Sequence, residues 1–477
     1  MAHIGGESRY QATLFPEVAD DLVPADHAVR VIDAFVDSLD LGQLGFSRVE
    51  AEATGRPPYA PDHLLKLYVY GLQNQVRSSR RLQREAERNL EVLWLIDRVK
   101  PSYKTIADFR RDHVEAIVGV CRAFTQFCQR QDLFGSEFVA IDGTKIAAVA
   151  SRKKVVTPKK LAEQIAALDR KIVRHLTAMD EADAQDEIEP AERVDVKAAL
   201  AVLKDRRADI QRQAEAMAKE GLSQRVTGEE SARLMRTPNH GPQVAYNAQI
   251  VVDAKHDLIA AFDLTSEGND QTLLYPMAQQ AKEALGVNSL TVLADTGYSN
   301  GEHGELCHAA QITAIVPRPA TVNPRGEAYF SRDKFGYDAE NDSYRCPAGQ
   351  TLTLHRVSQT EQKKEYWNAR ACRGCPLKAQ CTKTGKRSIV RSFYEDAREA
   401  MHRQAKSDPK WMKLRASLVE HPIGTMKWMM GYPRFLLRGS LKAKAELAFA
   451  VLGYNLKRAI SIMGVHSILA AFHATPA

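Results

Sequence analysis

The chain has 477 residues, of which 44% are hydrophobic and 26% charged, and its formal net charge is +7. That length exceeds what one hydrophobic core serves, so roughly two to four domains are expected. The composition is that of an ordinary soluble globular protein. The sequence has no apolar run of membrane-spanning length and no start that resembles a signal peptide. We therefore expect neither insertion into a membrane nor export, and predict a cytoplasmic location.

Basic residues are concentrated towards the end of the chain. Residues 1–62 hold four Lys and Arg against eleven Asp and Glu, whereas residues 383–477 hold seventeen against six. A one-sided basic surface is typical of a protein that binds a polyanion, because each neutralised phosphate releases counterions. A solvated basic face without such a partner is the alternative.

The first 135 residues have helical patterns. A long amphipathic segment opens at Pro61, and the arginines after it recur so that most project from one side of a helix starting near Ser78. These arginines are Arg77, Arg80, Arg81, Arg84 and Arg88. A turn and cap at 102–105 precede a second short helix, and this pair suits a helix-turn-helix-like DNA-binding module. A helical bundle with an exposed charged face is the alternative.

A run of β-branched and small apolar residues from Phe138 to Ala150 predicts a buried central strand. Asp142 interrupts this run and is followed at once by Gly143. Asp-Gly is a common turn pair, so a strand-end or turn Asp is one interpretation. The other is a metal ligand at the centre of a catalytic sheet, which depends on acids elsewhere in the chain.

Residues 157–221 change to a helical pattern, with apolar residues three and four apart in two runs. An acidic link at 181–189 joins the runs, and Pro158 and Pro190 stand at their starts. They predict an antiparallel helical hairpin, within residues 152–235, inserted into the sheet domain. A dimerisation arm, a DNA-clamping arm and a plain structural insertion are all compatible with this pattern.

The chain then returns to strands. Residues 244–253 and 258–264 alternate and are joined by a short turn, which is typical of a β-hairpin. A helix over 271–286 and an apolar strand over 289–295 follow, and that strand finishes on a second acid, Asp295. Antiparallel strands first and βαβ units afterwards predict a mixed α/β sheet with flanking helices.

The segment 319–395 is poor in apolar residues and contains a cysteine cluster. Cys372 and Cys375 have the spacing that lets two thiolates reach one ion, and Cys346 with Cys381 completes a tetrahedral set. In a reducing compartment such clustering suits metal better than disulfides. A structural zinc ion is therefore predicted, with unligated reduced thiols as the alternative. A catalytic zinc is not expected, because no His or acid sits in the same short segment.

A third acid lies in the basic C-terminal part of the chain. Lys413, Glu420 and Lys427 are each seven residues apart, which places them on one face of a helix, whereas Arg415 is less well aligned. Pro422 is expected to kink or restart that helix. A surface ladder of salt bridges is the ordinary explanation for such a face.

Asp142, Asp295 and Glu420 follow the order of an RNase H-like catalytic sheet, in which strands bring two Asp together and a helix adds Glu. Three carboxylates can hold two divalent cations for the in-line transfer of a phosphoryl group. Mg²⁺, or Mn²⁺ in its place, suits such a site because it prefers oxygen ligands and keeps positions open for substrate phosphate.

Around these acids the sequence resembles the DDE transposases of bacterial insertion sequences, within the group that carries an insertion before the final Glu. Ile-Asp-Gly-Thr-Lys at 141–145 and Ala-Asp-Thr-Gly-Tyr at 294–298 resemble that group's two Asp motifs. Val-Glu-His-Pro-Ile-Gly-Thr-Met-Lys at 419–427 resembles its third motif. Residues 77–81 and 105–110 resemble the family's N-terminal domain, and the cysteine cluster resembles a feature of one branch.

The resemblance implies a helical DNA-binding domain at 1–135 and an RNase H-like domain at 136–318 and 396–465. The helical hairpin and the Cys-rich insertion at 319–395 would interrupt the second of these. Asp142, Asp295 and Glu420 would be the catalytic metal ligands.

The resemblance also assigns DNA contacts. Lys427 would contact a phosphate near the acids, and the arginines from 77 to 88 would bind the DNA backbone. Many relatives have an Arg four residues before the Glu. Here that position is Ala416, so Arg415 and Lys413 are the candidates for its role.

The implied activity is transposition. The protein would bind the terminal inverted repeats of its element, cleave a strand to expose a 3′-OH, and use that hydroxyl to attack target DNA. It would act as a homodimer on double-stranded DNA, associated with a bacterial nucleoid. Two other classes stay open: an RNase H-fold nuclease without strand transfer, and a non-catalytic DNA-binding regulator.

Overall fold

The computed structural model describes residues 18–50, 57–185, 190–237, 241–319, 329–431 and 434–474. Side chains are described in those ranges except at 181–185 and 190–197. The end of the predicted acidic link, residues 186–189, lies outside them. No helix in these ranges is long and apolar enough to cross a membrane.

The N-terminal region is a layer of short helices. They are α1 (Ala28–Asp37), α2 (Pro61–Gln73), α3 (Ser79–Arg88), α4 (Leu90–Leu95), α5 (Tyr103–Asp112) and α6 (Val114–Arg130). Pro61 takes the first position of α2, where its fixed φ favours the helix and its missing N–H costs little. Ser102 caps α5 by accepting a hydrogen bond from Thr105 N. The region is helical, as its sequence patterns predict.

The first strand of the main sheet, β1 (Phe138–Ala147), is followed by a helical hairpin. The hairpin consists of α7 (Pro158–Gln185) and α8 (Pro190–Lys219), closed at its base by the antiparallel strands β2 (Val155–Val156) and β3 (Arg225–Val226). The two helices pack along each other, and Arg207 of α8 donates to Asp169 of α7. The hairpin therefore interrupts the sheet between its first strand and the next.

The main sheet is completed by strands on both sides of β1. These are β4 (Arg233–Thr237), β5 (Gly241–Asp253), β6 (Ile259–Thr265), β7 (Leu290–Leu293) and β8 (Ile312–Ile315), with the helices α9 (Leu274–Leu285) and α10 (Gly301–Ala309) between them. The order is β4-β5-β1-β7-β8, with β6 paired to β5. β1 runs antiparallel to β5 and parallel to β7. The sheet is mixed, which confirms the predicted α/β fold class.

The register of this sheet sets the positions of the first two acids. Ala140 of β1 pairs with Leu293 of β7 in parallel. Asp142 and Asp295 each lie two residues further along, so they reach the same level of the sheet, and a side-chain period of two directs them to the same face. Parallel pairing thus brings together two residues that are far apart in the chain.

The Cys-rich insertion forms a second, smaller sheet with the order β13-β12-β11-β10-β9. Its strands are β9 (Gly336–Asp338), β10 (Ser343–Arg345), β11 (Thr351–Ser358), β12 (Lys363–Trp367) and β13 (Ser388–Ser392), with the short helix α11 (Ala369–Arg373) after β12. Its buried hydrophobic core consists of Phe335, Tyr344, Leu352, Tyr366 and Ile389. The insertion therefore has a core of its own.

The last helices return to the main sheet. They are α12 (Glu395–Ser407), α13 (Lys410–Met429), α14 (Ser440–Met463) and α15 (Val465–Ala474). α13 packs on β1, β5 and β7, and α14 lies between β6 and the helices α2 and α6. Because most of α14 is buried, the sheet and the N-terminal helices share one continuous core.

The helix α13 runs without a break through Pro422. The helix therefore does not restart at Pro422, which was one of the two outcomes predicted for this position. Pro422 is buried on the same face as Val419 and Met426. Packing of that apolar face on the sheet offsets the backbone hydrogen bond that proline cannot make.

Candidate active site

Two carboxylates converge on one guanidinium at the main sheet. Nη2 of Arg415, on α13, lies 2.7 Å from Asp142 Oδ1 and 3.7 Å from Asp295 Oδ2. The Arg415 side chain is only 14% exposed, and its Nη2 makes no well-aligned hydrogen bond among the described residues, so the contact is an ion pair. The first two predicted acids are therefore adjacent and share a cation.

The local backbone orients both carboxylates. Gly143 N donates to Asp142 Oδ1 at 2.8 Å. Gly297 N donates to Asp295 Oδ1, also at 2.8 Å, where Asp295 caps a short 3₁₀ turn at Thr296–Tyr298. In each motif a glycine shortly after the acid supplies a donor, which fixes the direction of the acid's oxygens.

The electrostatics of the pair favour cations. Burial raises the pKa of Asp142 above its ordinary value. The Arg415 guanidinium and a backbone N–H oppose this shift, whereas the negative charges of Asp295 and Asp270 add to it. Asp142, Asp270 and Asp295 thus influence one another electrostatically, and Arg415 is the cation that acts on Asp142.

Lys427 lies at the edge of the same site. Burial lowers the pKa of its ammonium, and the charge of Asp142 opposes that shift. Lys427 is half-buried on α13, twelve residues after Arg415. Its ammonium is therefore within electrostatic reach of Asp142, a position compatible with a contact to a substrate phosphate.

Glu420 is exposed, and the structure does not bring it into contact with the two Asp. It has no hydrogen-bond or ion-pair partner in the described part of the chain. No three His, Cys, Asp or Glu side chains there stand close enough to hold a metal ion. Glu420 nevertheless lies between Arg415 and Lys427 on α13, and helical geometry places it about 20° around the axis from Lys427.

The structure distinguishes between Arg415 and Lys413, the two candidates for the basic residue that precedes Glu420 in the motif. Arg415 contacts the acid pair, whereas Lys413 is exposed and has no hydrogen-bond or ion-pair partner among the described residues. Two residues correspond to about 200° of helix rotation, so the two side chains leave α13 on opposite sides. The seven-residue spacing favoured Lys413, but the packing of α13 on the sheet places Arg415 at the acids.

A further carboxylate at the site, Asp270, lies in the loop between β6 and α9 and was not predicted from the sequence. Its Oδ1 accepts hydrogen bonds from Asn247 Nδ2 at 2.7 Å and Gln249 Nε2 at 2.8 Å, and Lys145 Nζ lies 3.4 Å away. The sequence feature that could have indicated Asp270 as a site residue is an acid in the loop that follows a predicted strand. Its context, Glu-Gly-Asn-Asp at 267–270, is typical of ordinary turn chemistry.

The predicted DNA-backbone role of Arg77 is corrected by its surroundings. Arg77 donates to the main-chain oxygens of Met430 at 2.6 Å and Arg434 at 2.9 Å, and to Glu446 Oε2 at 2.9 Å. Its side chain is only 13% exposed. Arg77 therefore connects the segment before α3 to the C-terminal region and is not displayed to a ligand.

The other predicted arginines, Arg80, Arg81, Arg84 and Arg88, are all exposed on α3. Arg80 lies over the ring of Tyr103, and Arg88 pairs with Glu85 at 2.8 Å. Arg81 and Arg84 have no hydrogen-bond or ion-pair partner among the described residues. α3 packs against α5, with α4 between them in sequence. The exposed basic face predicted for this region is present without Arg77.

The four cysteines of the insertion line one cavity. Burial raises the pKa of the Cys381 thiol, and the proximity of Cys372, Cys346 and Cys375 raises it further, against the effect of Arg387. All four thiols are free. Within the described residues they do not stand close enough together to form a metal-binding group. The structure thus gathers the four residues around one space without assembling a ligand set.

These features define an α/β protein with two paired carboxylates, one on a strand and one just after the adjacent parallel strand, covered by a helix that carries basic residues. A family model described as a transposase DDE domain matches residues 345–460, and one described as a transposase domain (DUF772) matches residues 17–112. No curated protein and no solved structure matches the chain.

Together the two matches support a DDE-type insertion-sequence transposase. The first includes Arg415, Glu420 and Lys427, and the second includes the N-terminal helices through α5. The DDE domain implies an enzyme, and such domains generally use divalent metal ions. Transposases act on DNA, which makes DNA the expected partner.

Proposed function

We propose that this transposase binds the terminal inverted repeats of its own insertion sequence, cleaves DNA there with divalent metal ions, and joins the freed 3′-OH to target DNA. One observation carries the proposal. Asp142 and Asp295, from adjacent parallel strands, converge on one cationic nitrogen in a chain that two transposase family models match.

The acid pair suits a metal ion by its donors and by the cation beside it. Carboxylate oxygens are the ligands that Mg²⁺ and Mn²⁺ prefer. The guanidinium of Arg415 stands in for such a cation, since it contacts both acids from one position. Asp142 and Asp295 would hold two ions from the sheet, and Glu420 would join them from α13. Two ions bound there would activate the attacking oxygen and stabilise the leaving oxygen.

Arg415 would compete with metal ions for the acids, because its guanidinium contacts both of them. A DNA phosphate is a suitable acceptor for it, since a guanidinium pairs well with phosphate oxygens. Lys427, half-buried beside Asp142, would contact a neighbouring phosphate. Binding of the DNA end and exposure of the acids would then occur together.

The proposed chemistry consists of two displacements at phosphorus. In the first, water attacks a phosphodiester at the end of the repeat, the bond from phosphorus to the 3′ oxygen breaks, and a 3′-OH and a 5′-phosphate result. In the second, this 3′-OH attacks a target phosphodiester and releases a target 3′-OH. In each step the attacking oxygen loses a proton and the leaving oxygen gains one, so one site can serve both.

DNA away from the acids would be bound by exposed basic residues. Arg80, Arg81, Arg84 and Arg88 on α3 form one such set, and Lys413 extends the basic surface of α13. Cleavage at two element ends calls for two active sites, and we therefore propose a homodimer assembled on double-stranded DNA.

We also propose a structural zinc ion in the Cys-rich insertion, which on binding would draw the four thiols closer together than they stand in the described residues. Cys346, Cys372, Cys375 and Cys381 line one cavity, and thiolates in this number suit tetrahedral zinc. The ion would join α11 and its flanking turns to the small sheet.

An assay with oligonucleotides tests the proposal. Duplexes carrying the element's terminal repeat, with Mg²⁺, should be cleaved to a 3′-OH, and pre-cleaved ends should join to plasmid DNA. Asp142→Asn should bind the repeat and do neither. Cleavage without joining of pre-cleaved ends would indicate a nuclease, and full activity of Asp142→Asn would indicate that the acids are not catalytic.

A further inference from the structure

Asp270 is a carboxylate beside the acid pair to which the proposed chemistry gives no role. Asn247 and Gln249 of β5 donate to its Oδ1 at 2.7 and 2.8 Å, and Lys145 of β1 lies 3.4 Å from the same oxygen. Donors from two strands therefore fix this carboxylate. Because three polar side chains contact the same carboxylate oxygen, the arrangement is an ordered polar network and not an incidental surface contact.

Hydrogen bonds connect Asp270 to the turn that carries Asp295. Tyr298, in that turn, donates its hydroxyl to Gln249 Oε1, and Gln249 Nε2 donates to Asp270 Oδ1. Tyr298 is buried, and burial raises its pKa well above the usual value, so the hydroxyl keeps the proton that it donates. Asp295 opens the same turn.

Two glycines leave the space that this network occupies. A Cβ at Gly143 would lie 2.2 Å from Gln249 Nε2 and 3.0 Å from Asp270 Oδ1. A Cβ at Gly297 would lie 3.8 Å from Asp270 Oδ2. These are the glycines whose N–H groups donate to Asp142 and Asp295, so Asp270 packs against both pieces of backbone that orient the acid pair.

We propose that Asp270 is a positioning residue: it holds the backbone of Gly143 and Gly297, and so sets the separation of the Asp142 and Asp295 carboxylates for a shared divalent ion. This inference rests on the proposed function, since it concerns the affinity of the same acids for metal. Groups that orient metal ligands without touching the ion typically contribute about 10- to 100-fold to metal affinity.

Binding of Mn²⁺ to the full-length protein without DNA, followed by electron paramagnetic resonance, tests the role independently of activity. Asp270→Ala should bind Mn²⁺ about 10- to 100-fold more weakly than the wild type. Asp270→Asn keeps an oxygen that can accept from Asn247 and Gln249, so it should recover affinity to within about threefold of the wild type. Wild-type affinity in Asp270→Ala would overturn the proposal. An Asn variant as weak as the Ala variant would also overturn it, because the lost charge would then explain the whole effect.

A double-mutant cycle tests the connection to the Asp295 turn. Tyr298→Phe removes the hydroxyl at the other end of the chain of hydrogen bonds and should also weaken Mn²⁺ binding. Combined with Asp270→Ala, it should add less than its own effect, because both changes interrupt the same hydrogen bonds. Additive losses would contradict the proposed connection.

Two further variants separate the possible failures. Asp257→Asn breaks an ion pair with Arg458 (3.0 Å) in the turn between β5 and β6 and should keep wild-type Mn²⁺ affinity and folding. An equal loss in this control would overturn the specific role of Asp270. If Asp142→Asn itself binds Mn²⁺ normally, the proposed metal site fails. If Asp142→Asn loses binding and Asp270→Ala does not, only the positioning role fails.

Discussion

Arg415 Nη2 lies 2.7 Å from Asp142 Oδ1, so the acid on the central strand is neutralised by a side chain of the covering helix. A buried carboxylate without such a partner would be costly. In the proposed site this ion pair would compete with a metal ion for the acid. Binding of metal and binding of DNA would then be thermodynamically coupled, because a phosphate that attracts the guanidinium would uncover the acid.

Arg415→Met should bind Mn²⁺ about tenfold more tightly than the wild type in the absence of DNA, since it removes the competing cation. Cleavage of repeat DNA should fall, because methionine cannot pair with the DNA phosphate. Electron paramagnetic resonance measures the first effect and a gel assay the second. Unchanged or weaker Mn²⁺ binding in a folded variant would argue against the competition.

Glu420→Gln should reduce DNA cleavage by about 100-fold or more, because it removes the proposed third metal ligand. Its free energy of unfolding should change by no more than about 0.5 kcal/mol, since Glu420 is exposed and has no hydrogen-bond or ion-pair partner among the described residues. Urea unfolding and a single-turnover cleavage assay give the two values. Lys413→Gln, also exposed on α13, is the control and should retain cleavage chemistry at saturating DNA. A Glu420→Gln variant with wild-type cleavage would remove Glu420 from the site.

Substitution of Arg81 and Arg84 should change the affinity for DNA and leave the free energy of unfolding unchanged. The double change to Ala should weaken binding to any DNA sequence and lower the slope of log affinity against log salt by about 2, because each arginine neutralises one phosphate. Fluorescence anisotropy across a salt series measures this. An unchanged slope would exclude the α3 arginines from the DNA surface.

Arg77 should show the opposite behaviour. Arg77→Met leaves the buried Glu446 carboxylate without its ion-pair partner and should lower the free energy of unfolding by about 3 kcal/mol. The salt dependence of DNA binding should be unchanged at temperatures where the variant is folded. A wild-type unfolding curve together with a smaller salt slope would restore the role that the sequence predicted for this residue.

Protein purified with zinc present should contain about one zinc ion per chain, and Cys375→Ser should lose it. Loss of the ion should lower the melting temperature of the Cys-rich insertion while Asp142 and its neighbours keep their Mn²⁺ binding. Mass spectrometry of metals and calorimetry measure the two effects. A wild-type protein that carries no zinc and melts normally would show that the thiols are simply reduced.

The fold class and the identity of the acid pair could be predicted from sequence because they depend on local patterns. Apolar runs predicted β1 and β7, and each run led directly to Asp142 or Asp295. The parallel register of β1 and β7 then brings both positions to the same level of the sheet. Asp270 gave no comparable signal, because its partners Asn247 and Gln249 come from another strand and only tertiary structure joins them.

The arginines show a second limit of the sequence. Arg77 and Arg81 occupy similar positions in the helical pattern, yet Arg77 is largely covered and pairs with Glu446, whereas Arg81 is exposed. The difference arises from α14, whose Glu446 lies 369 residues further along the chain than Arg77. Helical periodicity reports which side chains share a face, but not what covers that face.

The pairing of Ala140 with Leu293 has a consequence for how this protein can change over evolutionary time. The separation of the Asp142 and Asp295 carboxylates is set by the backbone hydrogen bonds between β1 and β7 and not by the length of chain that connects the two strands. A change in the length of that intervening chain is therefore expected to leave the separation of the two carboxylates unchanged, provided that β1 and β7 still pair. The helical hairpin lies in this stretch, and we expect a protein from which it has been removed to keep Asp142 and Asp295 at the same separation.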